Sequence, residues 1–116
     1  MIIMEIQINI LNELVKLLHY SSDSLYDSAH LEYKFNPDEG WRSISMWYEN
    51  EGKTLSPKED DVAEHNIDRM CKQLHDEMQS HTGGDWRKFI LTIDEQAKAK
   101  TQFIYEIQSC MDEFND

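Results

Sequence analysis

The 116-residue chain carries 23 Asp and Glu against 11 Lys and Arg, a formal net charge of −12, with 40% apolar residues. One domain of this length buries roughly two-thirds of the surface its unfolded chain exposes, and two would each be too small to build a core. The acidity excludes a general nucleic-acid binder, whose Lys and Arg must replace phosphate counterions, and disfavours an anionic membrane surface as a target.

Cys71 and Cys110 lie in contexts that read as apolar packing and are too few for a disulfide framework, so a reducing, cytoplasmic location is expected. The N-terminus, Met1-Ile2-Ile3-Met4-Glu5, lacks the basic start and long apolar run of a signal peptide. No stretch approaches the roughly 18 to 20 apolar residues of a membrane span.

In chain order, Ile3, Ile6, Ile10, Leu11, Leu14, Val15 and Leu18 recur at helical period and predict a helix over about residues 3–19. Ser21-Ser22-Asp23-Ser24 breaks it. The period then falls to two: Ala29, Leu31, Tyr33 and Phe35 alternate with His30, Glu32 and Lys34, which predicts a strand over about 28–35. Asn36-Pro37-Asp38-Glu39-Gly40 has turn chemistry, with Pro fixing φ and Gly accepting a positive one. A second strand follows over about 41–49, completing an antiparallel hairpin that Asn50-Glu51-Gly52-Lys53 ends. In that strand Ile44, Met46 and Tyr48 define one face, and Trp41, Ser43, Ser45 and Trp47 the other. The two Trp are exposed there unless a helix covers each face or a bulge turns them inward.

Ser56-Pro57-Lys58-Glu59 reads as a helix start, with Ser56 as cap, Pro57 in the first turn and Glu59 three residues after the cap. Asp60 and Asp61 add negative charge at the positive end of the helix dipole. The predicted helix runs over about 57–80 and buries Ala63, Ile67, Met70, Cys71, Leu74 and Met78. Gly83-Gly84 stops it. A third strand, about 86–94, is opened by Trp86 and carries Phe89, Leu91 and Ile93 on one face. After a polar connection from Asp94 to Lys100, Phe103, Tyr105 and Ile107 predict a fourth strand over about 102–109. The tail through Met111 and Phe114 is acidic and either forms a short helix or frays. The expected fold is a single α+β domain over residues 1–116, of order α-β-β-α-β-β, with an antiparallel sheet and the helices packed on one face.

No phosphate-binding loop, nucleophile elbow, H-E-x-x-H or C-x-x-C motif occurs, so no catalytic or cofactor-binding residue is assigned and no cofactor is expected. Cys71 and His75 are four apart on one helix face, the spacing of a thiolate–imidazole pair for a metal or a nucleophile. Cys71 also lies in the apolar stripe, where a free thiol behaves as a small hydrophobe. No metal site is assigned. His19, His30, His65 and His81 read as solvated surface, and carboxylate neighbours such as Asp60-Asp61 point in different directions on a helix.

The acidity is spread along the chain. Residues 20–54, 57–80 and 94–116 each carry a net charge of about −4, and only Asp85 to Lys88 has a basic surplus. A folded surface of this kind steers basic partners. Candidate contacts are Asp60, Asp61, Glu64 and Asp68 on the central helix, with Trp47, Glu49 and Glu51 around the end of the first hairpin. Trp among carboxylates suits an interface anchor.

The layout resembles the YezG-like immunity proteins, antitoxin partners of bacterial polymorphic and contact-dependent growth inhibition toxins. The resemblance spans about residues 3–108 and rests on several features in order. These are the leading amphipathic helix, Leu31-x-Tyr33, Trp41 to Tyr48, a central acidic helix, Trp86 before Phe89, Leu91 and Ile93, and Phe103-x-Tyr105-Glu106. The chain departs from the family at Glu95-Gln96-Ala97-Lys98, where a Gly often precedes the final strand. The resemblance implies a bacterial cytoplasmic inhibitor, not an enzyme, that binds a basic toxin domain, commonly a nuclease, and occludes or distorts its active site. An acidic adaptor or secretion chaperone is the alternative reading, and a small metal-binding or enzymatic domain using Cys71 and His75 a second.

Overall fold

A computed structural model describes residues 2–108, with side chains from Glu5 onward. The expected features at Cys110, Met111 and Phe114 lie outside these residues. In chain order the elements are α1 (Ile2–Tyr20), β1 (Ser28–Asn36), β2 (Trp41–Asn50), β3 (Lys53–Leu55), α2 (Asp61–Thr82), β4 (Lys88–Ile93) and β5 (Ala99–Ile104). The five strands form one antiparallel sheet of order β3-β2-β1-β4-β5. The fold is α+β, as expected, with one strand more than the periodicity predicts.

Cross-strand partners in an antiparallel sheet share a face, so the register defines the core. Ala29 pairs with Tyr48 and Ile93, Leu31 with Met46 and Leu91, and Tyr33 with Ile44 and Phe89. Both helices pack on this face. Ile10, Leu14 and Leu18 of α1 and Ile67, Cys71 and Leu74 of α2 join these strand residues in one buried cluster. Burying each large aliphatic or aromatic side chain there contributes about 1.5–3 kcal/mol. At one end of the face the Tyr48 hydroxyl donates to the Leu18 carbonyl, 2.5 Å away, and satisfies one of the carbonyls left open at the C-terminus of α1. Trp86 is fully buried and touches the rings of Phe35, His75, Phe89 and Phe103. It precedes β4 and does not open it: the strand starts at Lys88, two residues after the expected 86.

The start of α2 differs from the sequence reading. Ser56, Pro57 and Lys58 are not helical, and Asp60 is the N-cap. Its carboxylate accepts the backbone N–H groups of Val62 and Ala63, each at 3.1 Å. The Ser56 signal loses because Lys58 N–H donates to the Ser21 carbonyl and its ammonium lies 4.2 Å over the Tyr20 ring. Both contacts tie this segment to the end of α1. The chain before it returns as β3 through a tight turn, with Glu51 at φ 52 and Gly52 at φ 78. Two successive positive φ values match the twist of a hairpin, which is why the chain re-pairs at once instead of leaving the sheet. At the other end of α2, Gly83 takes φ 76 and donates to the Gln79 carbonyl, the expected stop.

The last strand is also displaced, to Ala99–Ile104 from the expected 102–109. Asp94 closes a short turn by accepting the N–H groups of Gln96 and Lys98 on one carboxylate oxygen, each at 2.9 Å. Pairing therefore resumes at Ala99 opposite Ile93, and Tyr105 and Ile107 stand exposed beyond the strand. Ala97 holds φ 62 in this turn, a conformation glycine adopts freely. No helix among the described residues is long and apolar enough to cross a membrane.

Candidate functional site

The seven residues expected to meet a partner fall into two groups on opposite sides of the sheet. Trp47 and Glu49 share the face opposite α1 and α2. Trp47 stacks on the His30 ring with centroids 4.9 Å apart and planes 10° apart. Glu49 accepts the Ser28 hydroxyl at 3.2 Å and lies 3.6 Å from His30 Nε2. Glu51 sits beside them in the β2–β3 turn, its N–H bonded to the Asp27 carboxylate. No bulge interrupts the β1–β2 register and both helices lie on the other side, so Trp41 and Trp47 belong to the face opposite α1 and α2, each half-buried.

The second group lies along α2. Asp61 and Glu64 are exposed, and with His65 and Asp68 they surround Arg42 and Ile44 of β2. Asp68 is already engaged: Arg42 Nε donates to it at 2.7 Å. Burial, with the Asp68 carboxylate nearby, pushes the Tyr33 phenol well above its ordinary range. Asp60 is the helix cap. Two of the four α2 acids, Asp60 and Asp68, thus have structural partners, and Asp61 and Glu64 are left for solvent or a ligand.

His75, on the same helix face as Cys71, is 7% exposed and takes partners that the sequence reading did not assign. Its Nε2 lies 2.7 Å from Asp85 Oδ1 and its Nδ1 3.3 Å from Asp76 Oδ1. The ring meets Phe35 and Trp86 edge-on, at 5.0 and 5.1 Å. Arg87 donates to the second oxygen of Asp85 at 3.0 Å and lies 5.6 Å over the Phe35 ring. The sequence signal was available: Asp85 and Arg87 belong to the one segment with a basic surplus, Asp85 to Lys88, just after the helix that carries His75.

These groups line a cleft of about 630 Å³ between α2, the β1–β2 turn and the start of β4. Phe35 and Tyr33 contribute its aromatic side, Trp41 and Pro37 its rim, and Lys72 reaches it from α2. Cys71 does not take part. It is fully buried among apolar side chains, and burial pushes its thiol far above the ordinary range, with Asp68 adding to the shift. A protonated thiol in such a position is neither nucleophile nor metal ligand. Among the described residues, no group of three or more His, Cys, Asp or Glu side chains is placed to hold a metal ion.

No known family profile matches the chain, and no curated protein matches it in sequence.

Proposed function

We propose that this protein is an immunity protein: a cytoplasmic, non-enzymatic inhibitor that binds a basic bacterial toxin domain of the nuclease class and blocks its activity. The observation that carries the reading is the state of its carboxylates. Acidic residues outnumber basic ones by 23 to 11. Glu51, Asp61 and Glu64 are exposed and make no ion pair with Lys or Arg among the described residues. A surface with that many unmatched negative charges is repelled by nucleic acid and by anionic lipid, and it steers toward a basic protein groove. The half-exposed Trp47, held flat on His30 beside Glu49, supplies an ordered aromatic anchor next to such charges. The resemblance to YezG-like immunity proteins supports the same reading.

The test is capture of the native partner, followed by assay of that partner's nuclease activity with and without the chain. Neutralisation predicts loss of activity on stoichiometric addition and weaker inhibition as salt rises. A captured partner that keeps full activity in the complex overturns the reading and leaves the adaptor or chaperone alternative. Two charge-reversing variants identify the side used: Asp61→Lys with Glu64→Lys on α2, and Glu49→Lys with Trp47→Ala on the face opposite the helices.

A further inference from the structure

We propose that the cleft between α2 and the β1–β2 turn is a binding site for a carboxylate carried on a flat apolar body. The cleft adjoins the α2 acidic group through Arg42 and Asp68 but includes neither Asp61 nor Glu64, and its charge balance differs from that of the whole chain. The chain as a whole has about twice as many acids as bases, yet in the cleft Arg42, Lys72 and Arg87 meet only Asp68, Asp76 and Asp85.

The acids and bases there are not equally engaged. Asp85 uses one oxygen on His75 and the other on Arg87. Asp68 accepts from Arg42. Asp76, at the mouth, faces His75 Nδ1. Each guanidinium, by contrast, has five N–H donors, and Arg42 and Arg87 each use one side-chain hydrogen bond among the described residues. Lys72 is exposed and has no ion pair or hydrogen bond from its ammonium among those residues. Among the described residues Lys72 thus stands unpaired beside two guanidinium groups with unused N–H donors, and a ligand rich in acceptors completes them. Carboxylate geometry matches a guanidinium edge, with a lysine ammonium as a second point of contact.

The rest of the lining selects the body of the ligand. Phe35 presents a ring, and Pro37 a flat aliphatic surface. Arg87 already lies over Phe35, so an aromatic or planar group entering there stacks against the same side of the cleft. The volume is that of a small-molecule site. A free aryl-alkyl acid and the C-terminal aromatic residue of a polypeptide both present this chemistry.

The experiment is an amide-resolved NMR titration of the full chain with hydrocinnamate and with a tetrapeptide, acetyl-Ala-Ala-Ala-Phe, bearing a free C-terminus. Hydrocinnamamide and phenethylamine serve as neutral and cationic controls. The expected result is saturable shifts at Phe35, Lys72, His75, Gln79 and Arg87 with both acids, with dissociation constants on the order of 1 mM, and none with the controls. Which acid binds more tightly identifies the source. Lys72→Ala weakens binding about three- to tenfold, and Lys53→Ala, which removes the same charge from β3, leaves it unchanged. Both lysines are exposed, so neither substitution endangers the fold. Equal binding of the amide, shifts that fail to saturate, or wild-type affinity in Lys72→Ala overturns the proposal.

Discussion

His75 Nε2 and Asp85 Oδ1 lie 2.7 Å apart, joining α2 to the segment that leads into β4. Asp85 also receives Arg87, so one carboxylate holds two donors at the edge of the Trp86 cluster. Asp85→Ala leaves the nearly buried imidazole without its acceptor and is expected to cost about 1–3 kcal/mol in urea unfolding. A double-mutant cycle with His75→Ala is expected to return a coupling of at least about 0.5 kcal/mol. Strict additivity of the two substitutions would show that the contact does not stabilise the fold.

Tyr48→Phe keeps the ring in the core and removes the donor to the Leu18 carbonyl. The expected loss is about 1 kcal/mol, because a buried carbonyl at the end of α1 is left unpaired. Burial, with Tyr26 nearby, pushes the Tyr48 phenol up to about 12, against an ordinary value near 10. A raised folded-state pKa stabilises the fold below the unfolded value, and this contribution is lost as pH rises through the folded one. Wild-type stability should therefore fall from about pH 10 to 12. Tyr48→Phe should show a smaller fall over that window in fluorescence-monitored unfolding.

The β4–β5 turn carries two separable effects. Ala97 at φ 62 bears left-handed strain of about 1–2 kcal/mol, and glycine costs about 0.5–1 kcal/mol in unfolded-state entropy. Ala97→Gly should therefore stabilise the protein by about 0.5 kcal/mol; destabilisation would contradict the backbone assignment. The N–H groups of Lys98 and Gln96, with Lys100 close by, hold the Asp94 carboxyl below its ordinary value. Its stabilisation is present above the ordinary Asp range and disappears as pH falls through the lowered one. Amide signals of Gln96 and Lys98 should report this loss only under strongly acid conditions.

Cys71 is expected to resist alkylation by iodoacetamide at neutral pH in the folded protein and to react on unfolding, read by mass mapping of its own peptide. Modification of Cys71 in the native state at a rate like that of a free thiol would place it in a site, contrary to its burial.

Amphipathic periodicity suffices where one face of an element is buried and the other solvated. That is why α1 is legible to within a residue at each end and the β1–β2 pair is recovered with the right face inward. It fails where local hydrogen bonding decides. Ser56 and Asp60 are both good caps by residue type, and only the contacts of Lys58 with Ser21 and Tyr20 choose between them. β3 is three residues long and mostly exposed, with no alternation to detect; its cause is the backbone turn at Glu51 and Gly52. The candidate residues divide the same way. Their types were readable as acidic or aromatic, but the register sends Trp47 and Asp61 to opposite sides of the sheet. The pairing of His75 with Asp85 was not readable because Asp85 lies beyond a helix end, where periodicity carries no information.

The strand order has a kinetic consequence. β1, β2 and β3 close on one another through tight turns, and so do β4 and β5. The two pieces meet along a single seam, β1 against β4, with all of α2 in the intervening chain. Closing that seam is the slow, entropy-limited event in reaching the native state. Truncation on the seam, as in Leu91→Ala, should slow refolding. A substitution on the outer strand, such as Thr101→Ala, should act mainly on the unfolding rate in stopped-flow chevron measurements.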